Sequence, residues 1–318
     1  LSTLWTFLLL TLLLFKNTQI KAETSTSTEP NSQIKSAFIC PLAGWEMWFE
    51  VNPLQEKGKL TPETINAVAR IMQRRLNSLM LANSSTGKAA VVFMGKNQIL
   101  LQFQPGITPE PAGTEPEKIG SVLSQRGYLE FRVQKSGTQE QLAMFYQQRE
   151  YTLHQLAKLR GEAPVKLGEF IEDEKVLSSK LKENNQILNQ IFVPTKLNSK
   201  YIKFAKITPP GLGGQNWYLV MNFDTKGTKI FTQLTKSLAG KNRSLGIFFD
   251  NELITAPIID AEYARTGITT GQAVITGKWT IERLEEIVIQ LRSGALPARV
   301  VNYSVNVAKN NRCLDNSK

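Results

Sequence analysis

Four groups of residues in this 318-residue chain are of types that do chemistry. His154 is the only histidine, so any Ser-His-Asp relay or His-based metal site has to be built around it. Its own stretch, TQEQLAMFYQQREYTLHQLAKLRG, offers no Ser, Asp or Cys partner. Cys40 and Cys313 stand near opposite ends, with no Cys-x-x-Cys and no neighbouring His, so no metal-ligand spacing exists. They read as two solitary thiols, or as one disulfide if the compartment is oxidising. Arg70, Arg74 and Arg75 form the densest cationic cluster, but they share a helix with an apolar face and read as a solvated face, not a phosphate patch. PPGLGGQ, residues 209–215, carries Gly211, Gly213 and Gly214 but lacks both the Lys-Ser/Thr of a phosphate loop and the G-x-G-x-x-G spacing. It is expected to be a flexible connection and a hinge. With no converging acid, base and nucleophile, the expectation is a non-enzyme that holds no cofactor and no metal.

The elements around these residues have enough apolar material to bury a core: 42% of the chain is hydrophobic and 20% charged. The formal net charge of +11 points to anionic partners such as lipid head groups or acidic polymers. No nucleic-acid module is recognisable, so nucleic acid is not expected among them.

The first fifteen residues, LSTLWTFLLLTLLLF, are almost wholly apolar. As a helix they reach about 22 Å, short of the roughly 30 Å hydrocarbon layer. The chain also opens on Leu, so residues 1–15 are expected to be the rear of a membrane anchor; the competing reading is the apolar part of a signal peptide. Lys16 and Lys21 weigh weakly against an outward-facing C-terminal side. Residues 16–39, rich in Ser and Thr, are expected to be a tether.

Order is expected from residue 40. GWEMWFEV places Trp45, Met47 and Phe49 on one face of a strand. LTPETINAVARIMQRRLNSLM reads as a helix with Thr61 as N-cap, Pro62 in the first position, and a stripe of Ile65, Val68, Met72, Leu76 and Leu79. AAVVFMGKNQILLQF reads as a hairpin turning at residues 95–97, EKIGSVLSQRG as a short helix, and YLEFRV as an alternating strand. Strand, helix, hairpin, helix, strand is a ferredoxin-like split β-α-β base. From 136 to 190 the composition turns to Gln, Lys, Glu and Leu, and a helical hairpin is expected.

After the Gly-rich segment, a strand ending at Phe223 runs into Asp224, a good N-cap. The helix that follows stops at Gly240, and SLGIFF–DN–ELITAPII makes a hairpin turning at Asp250-Asn251. GITTGQAVITG, with Gly267 and Gly271 as further hinge candidates, closes this second α+β unit. A last helix, about residues 281–292, has Thr280 as cap, Trp279 as a staple onto Leu284, and Gly294 in the left-handed C-terminal position. A Schellman stop accounts for one or two apolar residues after that glycine, but not for the whole run ALPARVV.

ITGKWTIERLEEIVIQLRSGALPARV strongly resembles the end of the first exported domain of the SecD family of protein-export membrane subunits. The residues carrying the match are Gly277, Leu291, Arg292, Gly294, Ala295, Leu296 and Pro297. FFDNELITAPII resembles the family's hairpin through Asp250, Ala256 and Pro257. FDTKGTKIFTQLT, GYLEFRV and IMQRRLNSL are weaker matches. One departure stands out: where the family carries D-L-R-G-G, this chain reads CPLAGWEMWFEV.

The resemblance implies an α+β fold: a ferredoxin-like base with a smaller α+β head inserted, outside the cytoplasmic membrane behind an N-terminal transmembrane segment. The expected divisions are 40–135 for the first part of the base, 136–190 for a helical insertion, 191–275 for the head, 276–306 for the closing helix of the base and 307–318 for a tail. The implied function is that of an accessory subunit of the Sec translocase, holding preprotein on the trans side. SecF, the SecYEG channel, unfolded preprotein and membrane lipids are the implied partners. The chain is expected to be a truncated or divergent form that lacks the later, proton-conducting helices. An adaptor without translocation activity is the alternative.

Overall fold

The computed structural model describes residues 44–55, 57–83, 85, 87–104, 115–161, 163–166, 170–210, 217–276 and 280–307. In chain order the first elements are β1 (Trp45–Asn52), α1 (Pro62–Ala82), β2 (Lys88–Gly95), β3 (Gln98–Gln104) and α2 (Pro116–Ser124). Then come β4 (Leu129–Gln134), α3 (Gln139–Leu159), α4 (Glu174–Gln190), β5 (Phe192–Asn198) and β6 (Ile202–Thr208). The remainder is β7 (Tyr218–Phe223), α5 (Thr225–Leu238), β8 (Leu245–Phe249), β9 (Glu252–Thr255), β10 (Gln272–Thr276), α6 (Ile281–Ser293) and β11 (Arg299–Val307). Among these residues no helix is long and apolar enough to cross a membrane. The expected anchor and tether, Cys40, Cys313, Gly277 and Trp279 lie outside the described residues.

The local chemistry forms the elements as read. Thr61 caps α1 by accepting from the Thr64 N–H at 3.3 Å, with Pro62 at the first position. Asp224 caps α5 by accepting from the Gly227 N–H at 2.6 Å, and Thr280 caps α6 through the Arg283 N–H. Both residues of the β8–β9 turn, Asp250 (φ 50°) and Asn251 (φ 69°), are left-handed, as a two-residue hairpin of this kind requires.

The first sheet has the order β11-β1-β3-β2, all antiparallel, with α1 and α2 against it. Numbered within the lobe this is 4-1-3-2, the ferredoxin-like order. The closing strand is not the expected one. YLEFRV, read as the last base strand, is β4 and lies in a different sheet, β5-β4-β8-β9, pairing with β5 and β8. All but one of its residues are buried, so it needs a sheet neighbour on each edge and cover on both faces, which an outer position in the base could not give. The base is closed instead by β11, whose Val305 sits opposite Met47 on β1.

A third sheet, β10-β7-β6, completes the head. Its inner face shares one core with β4, β5, β8 and α5, where the Phe131, Phe223 and Phe231 rings meet edge to face or tilted at 5.1–6.2 Å. The expected helical hairpin is present: α3 and α4 pack together and cover the other face of the β8–β9 hairpin, where Leu142 and Leu188 join Phe248 and Leu253 in one buried cluster. α6, read as the closing helix of the base, divides its side chains. Leu284, Ile287, Val288 and Leu291 enter the head core, while Ile289 enters the base core.

Candidate functional site

Two segments carry the chain between base and head: residues 125–128, leading from α2 to β4, and 294–298, leading from α6 to β11. They are held side by side by Arg75. The solvated reading of the arginine cluster is right for the exposed Arg70 and Arg74 and wrong for Arg75, which is fully buried. The guanidinium donates to the carbonyls of Val122 (3.1 Å), Arg126 (2.9 Å), Gly294 (3.0 Å) and Gln125. It thus satisfies carbonyls at the end of α2, in the ascending segment and in the descending one. Burial pushes Arg75 down to about 10, against the opposing pull of Asp250, so it stays charged at neutral pH. A signal for this lay in the spacing: Arg75 follows Met72 by three and Leu79 follows it by four, which puts it on the apolar stripe.

Three further residues complete the crossing. Asp250, at the tip of the β8–β9 hairpin, accepts from the N–H groups of Gly127 (3.0 Å) and Tyr128 (2.7 Å) and donates its own N–H to the Tyr128 carbonyl. The buried Gln290 of α6 donates to the Gln125 side chain at 2.9 Å. Gly127 (φ 70°) has no room for a side chain: a Cβ there would stand 2.6 Å from the Arg75 guanidinium.

The apolar elbow after α6 has its explanation here. Gly294 has φ 94° and ψ 158°, not the expected left-handed helical conformation but a region open essentially to glycine alone. The chain leaves extended, Leu296 donates its N–H to the Arg126 carbonyl at 2.8 Å, and Leu296 and Ala298 enter the base core. Ala295 is half-buried and Pro297 exposed. Arg292 donates from Nε to the Ala205 carbonyl at 2.8 Å and stands 5.0 Å from the Phe204 ring. Leu291 is buried in the head core.

The remaining predicted residues are elsewhere. Ala256 and Pro257 follow β9 and line a groove of about 360 Å³, whose opposite wall is α3 with Leu142 and Tyr146; the buried Gln134 forms part of the floor. Burial, and then the Glu150 charge, raise the Tyr146 hydroxyl. Ile258, also in the lining, is 57% exposed. Gly267 and Gly271, both at positive φ, run close along α5: added Cβ atoms would meet the Thr232 carbonyl at 2.2 Å and the Thr228 hydroxyl at 2.5 Å. Gly211, Gly213 and Gly214 lie outside the described residues. His154 is exposed on α3, and among the described residues no cluster of His, Cys, Asp and Glu could hold a metal.

A ferredoxin-like base interrupted after its second helix by a mixed head, and closed by a strand far down the chain, defines a two-lobed α+β domain of the kind found in membrane components of protein export. The fold matches a solved structure described as the membrane component SecDF that enhances protein export, with a TM-score of 0.53 over 84% of this chain and 99% of that one, at 20% identity. Residues 172–298 match the SecDF P1 head subdomain. The protein translocase subunit SecD of Synechocystis is 32% identical over 84% of this chain and 52% of its own length; that of Prochlorococcus marinus is 30% identical over 81% and 54%. The chain belongs to the SecD/SecDF family. It spans about half the length of these curated relatives.

Proposed function

We propose that this chain serves protein export as an accessory part of the Sec translocase, its head holding an unfolded preprotein on the trans side of the membrane. SecF and the SecYEG channel are its partners in this reading, and residues 1–15 anchor it in the bilayer. The observation that carries the capture step is the groove between α3 and residues 255–258. It adjoins β9, the outer strand of its sheet, and offers apolar walls with a few polar groups, a surface suited to an extended chain of variable sequence. The expected hinge glycines 211, 213, 214, 267 and 271 all fall between elements of the head, so movement of the head against the base is served in this reading by the two crossings, residues 125–128 and 294–298, with Gly127 and Gly294 at positive φ. The test is capture of an unfolded secretory precursor by the chain. Binding should be lost in Ile258→Glu, which puts a charge at the groove's exposed rim without disturbing the core. Absence of binding, under conditions where a full-length relative binds, removes the capture role.

One observation favours a second reading. The stretch CPLAGWEMWFEV has neither the acid nor the arginine of the family's D-L-R-G-G, which suits a membrane-anchored adaptor that kept the fold without the translocation activity. Rescue of a strain lacking its full-length SecD separates the two: rescue supports export, and failure supports the adaptor.

A further inference from the structure

The positive charge of this chain is not spread evenly. Residues 191–249 hold nine lysines and arginines against one acid, a surplus of eight out of the chain's eleven. The single acid, Asp224, is already occupied in capping α5. The fold gathers much of this surplus at one corner of the head. The Asp224 N–H donates to the Tyr201 carbonyl at 2.9 Å, which pins the start of α5 against the turn between β5 and β6. Lys200 from that turn and Lys226 from α5 approach the same Tyr201 ring, 4.8 and 5.9 Å from its centroid. Lys229 lies one position short of a full turn beyond Lys226 on the same side of α5. Lys203 stands where β6 bulges against β7, and Lys196 lies on β5 just before the turn. All five are exposed, and none forms an ion pair among the described residues.

Two bland accounts fall short. Lysines on outer strands discourage strand-to-strand aggregation, which covers Lys196 and Lys203 because β5 and β6 are both outermost in their sheets. It does not cover Lys226 and Lys229 on a helix, near the end where the helix dipole disfavours cations. General solubility needs charge, but it does not need one sign segregated in this way.

We propose that this corner of the head docks on a bilayer surface carrying anionic head groups. The chemistry favours lipid over nucleic acid or a specific phosphate ligand. The five cations are all lysines, point charges without the planar fork that reads individual phosphates. Of the rings beside them Tyr201 is buried, and the exposed Phe204 by itself is not the row of rings on which successive bases stack. Phe204, next to Lys203 on β6, is 46% exposed, which adds an apolar side chain to a cationic face, the combination that suits a headgroup layer. This goes beyond preprotein capture and does not depend on it: the groove lies between α3 and residues 255–258, on other elements.

The experiment uses the full chain and two sets of vesicles, one zwitterionic and one with anionic phosphatidylglycerol. The apolar Leu1–Phe15 segment acts equally on both, so the quantity read is the ratio of the two partition coefficients. The combined variant Lys200→Gln, Lys203→Gln, Lys226→Gln should lower that ratio about a hundredfold at low salt, following roughly a fivefold effect per lysine near a charged surface. The control variant Lys57→Gln, Lys175→Gln, Lys182→Gln, exposed lysines on other elements, should change it less than tenfold. An equal loss in both variants means that net charge alone acts, and overturns the proposal. So does an unchanged ratio in the first variant, or wild-type preference for a single-stranded oligonucleotide over the anionic vesicles in direct competition.

Discussion

The guanidinium of Arg75 and the carbonyl of Gly294, 219 positions apart, meet at 3.0 Å. One fully buried cation on the first helix of the base thereby holds the point where the last helix of the head hands the chain back. Because its other acceptors lie in residues 122–126, the same group fixes both crossings at once.

Arg75→Met removes the charge but leaves several buried carbonyls without a donor. Each such group costs about 1–3 kcal/mol, so chemical denaturation should show a loss of at least about 3 kcal/mol. Arg75→Lys keeps the charge without the fork and should recover only part of it. Arg74→Met, one residue away and exposed, should stay within about 0.5 kcal/mol of wild type.

Gly294→Ala and Gly267→Ala test two different demands on glycine. At Gly294 nothing lies within 4 Å of an added Cβ, so only the backbone conformation resists, at about 1–3 kcal/mol. At Gly267 the added atom also meets the Thr232 carbonyl at 2.2 Å, and α5 has to shift. Thermal unfolding should place Gly267→Ala clearly below Gly294→Ala.

Asp250→Asn leaves one acceptor oxygen where the carboxylate serves two N–H groups, those of Gly127 and Tyr128. A loss of about 1–2 kcal/mol is expected, reflecting one forfeited charge-assisted hydrogen bond. Amide exchange should report it locally, with exchange at Gly127 or Tyr128 faster than in wild type and little change in the strands of the three sheets.

The pH dependence of the crossing follows from the direction in which Arg75 is shifted. Its folded value, about 10, lies well below that of an ordinary solvated guanidinium. The unfolded chain therefore binds more protons between those values, and the cost of burying the charge is fully present below about 10 and relieved as pH rises through that window. Between pH 6 and 9 the group does not titrate. The stability difference between wild type and Arg75→Met should be constant across that range, and a slope would show that another group is coupled to the junction.

Much of this fold was legible because its signals are local. Thr61-Pro62, Asp224 and Thr280 announce helix starts by chemistry confined to one turn, and Asp250-Asn251 announces a hairpin by its two left-handed residues. The strands β5 and β6 were not read. FVPTKLN contains a proline, and IKFAKIT carries lysines on an outer strand, so neither shows clean alternation. The alternation of β4 was plain, but which sheet a strand joins depends on partners far along the chain: β8 for this strand, and β11 for the base it was assigned to. The family motif around Gly294 marked the right residues without their reason, because the acceptor role of that glycine's carbonyl depends on Arg75, which no local pattern pairs with it.

The position of β11 governs the order of assembly. β1 is the first described strand to leave the ribosome, yet one of its two neighbours is the last described strand, with Met47 waiting for Val305. Until residue 299 and its successors emerge, the base has a bare strand edge and a core lacking Leu296, Ala298 and Val300, while the head's own sheets are already complete. The inserted lobe is therefore the part able to mature first, and the lobe begun earliest is sealed last. This is a long-range closure of the slow, aggregation-exposed kind, and any chain cut short of β11 inherits that open edge.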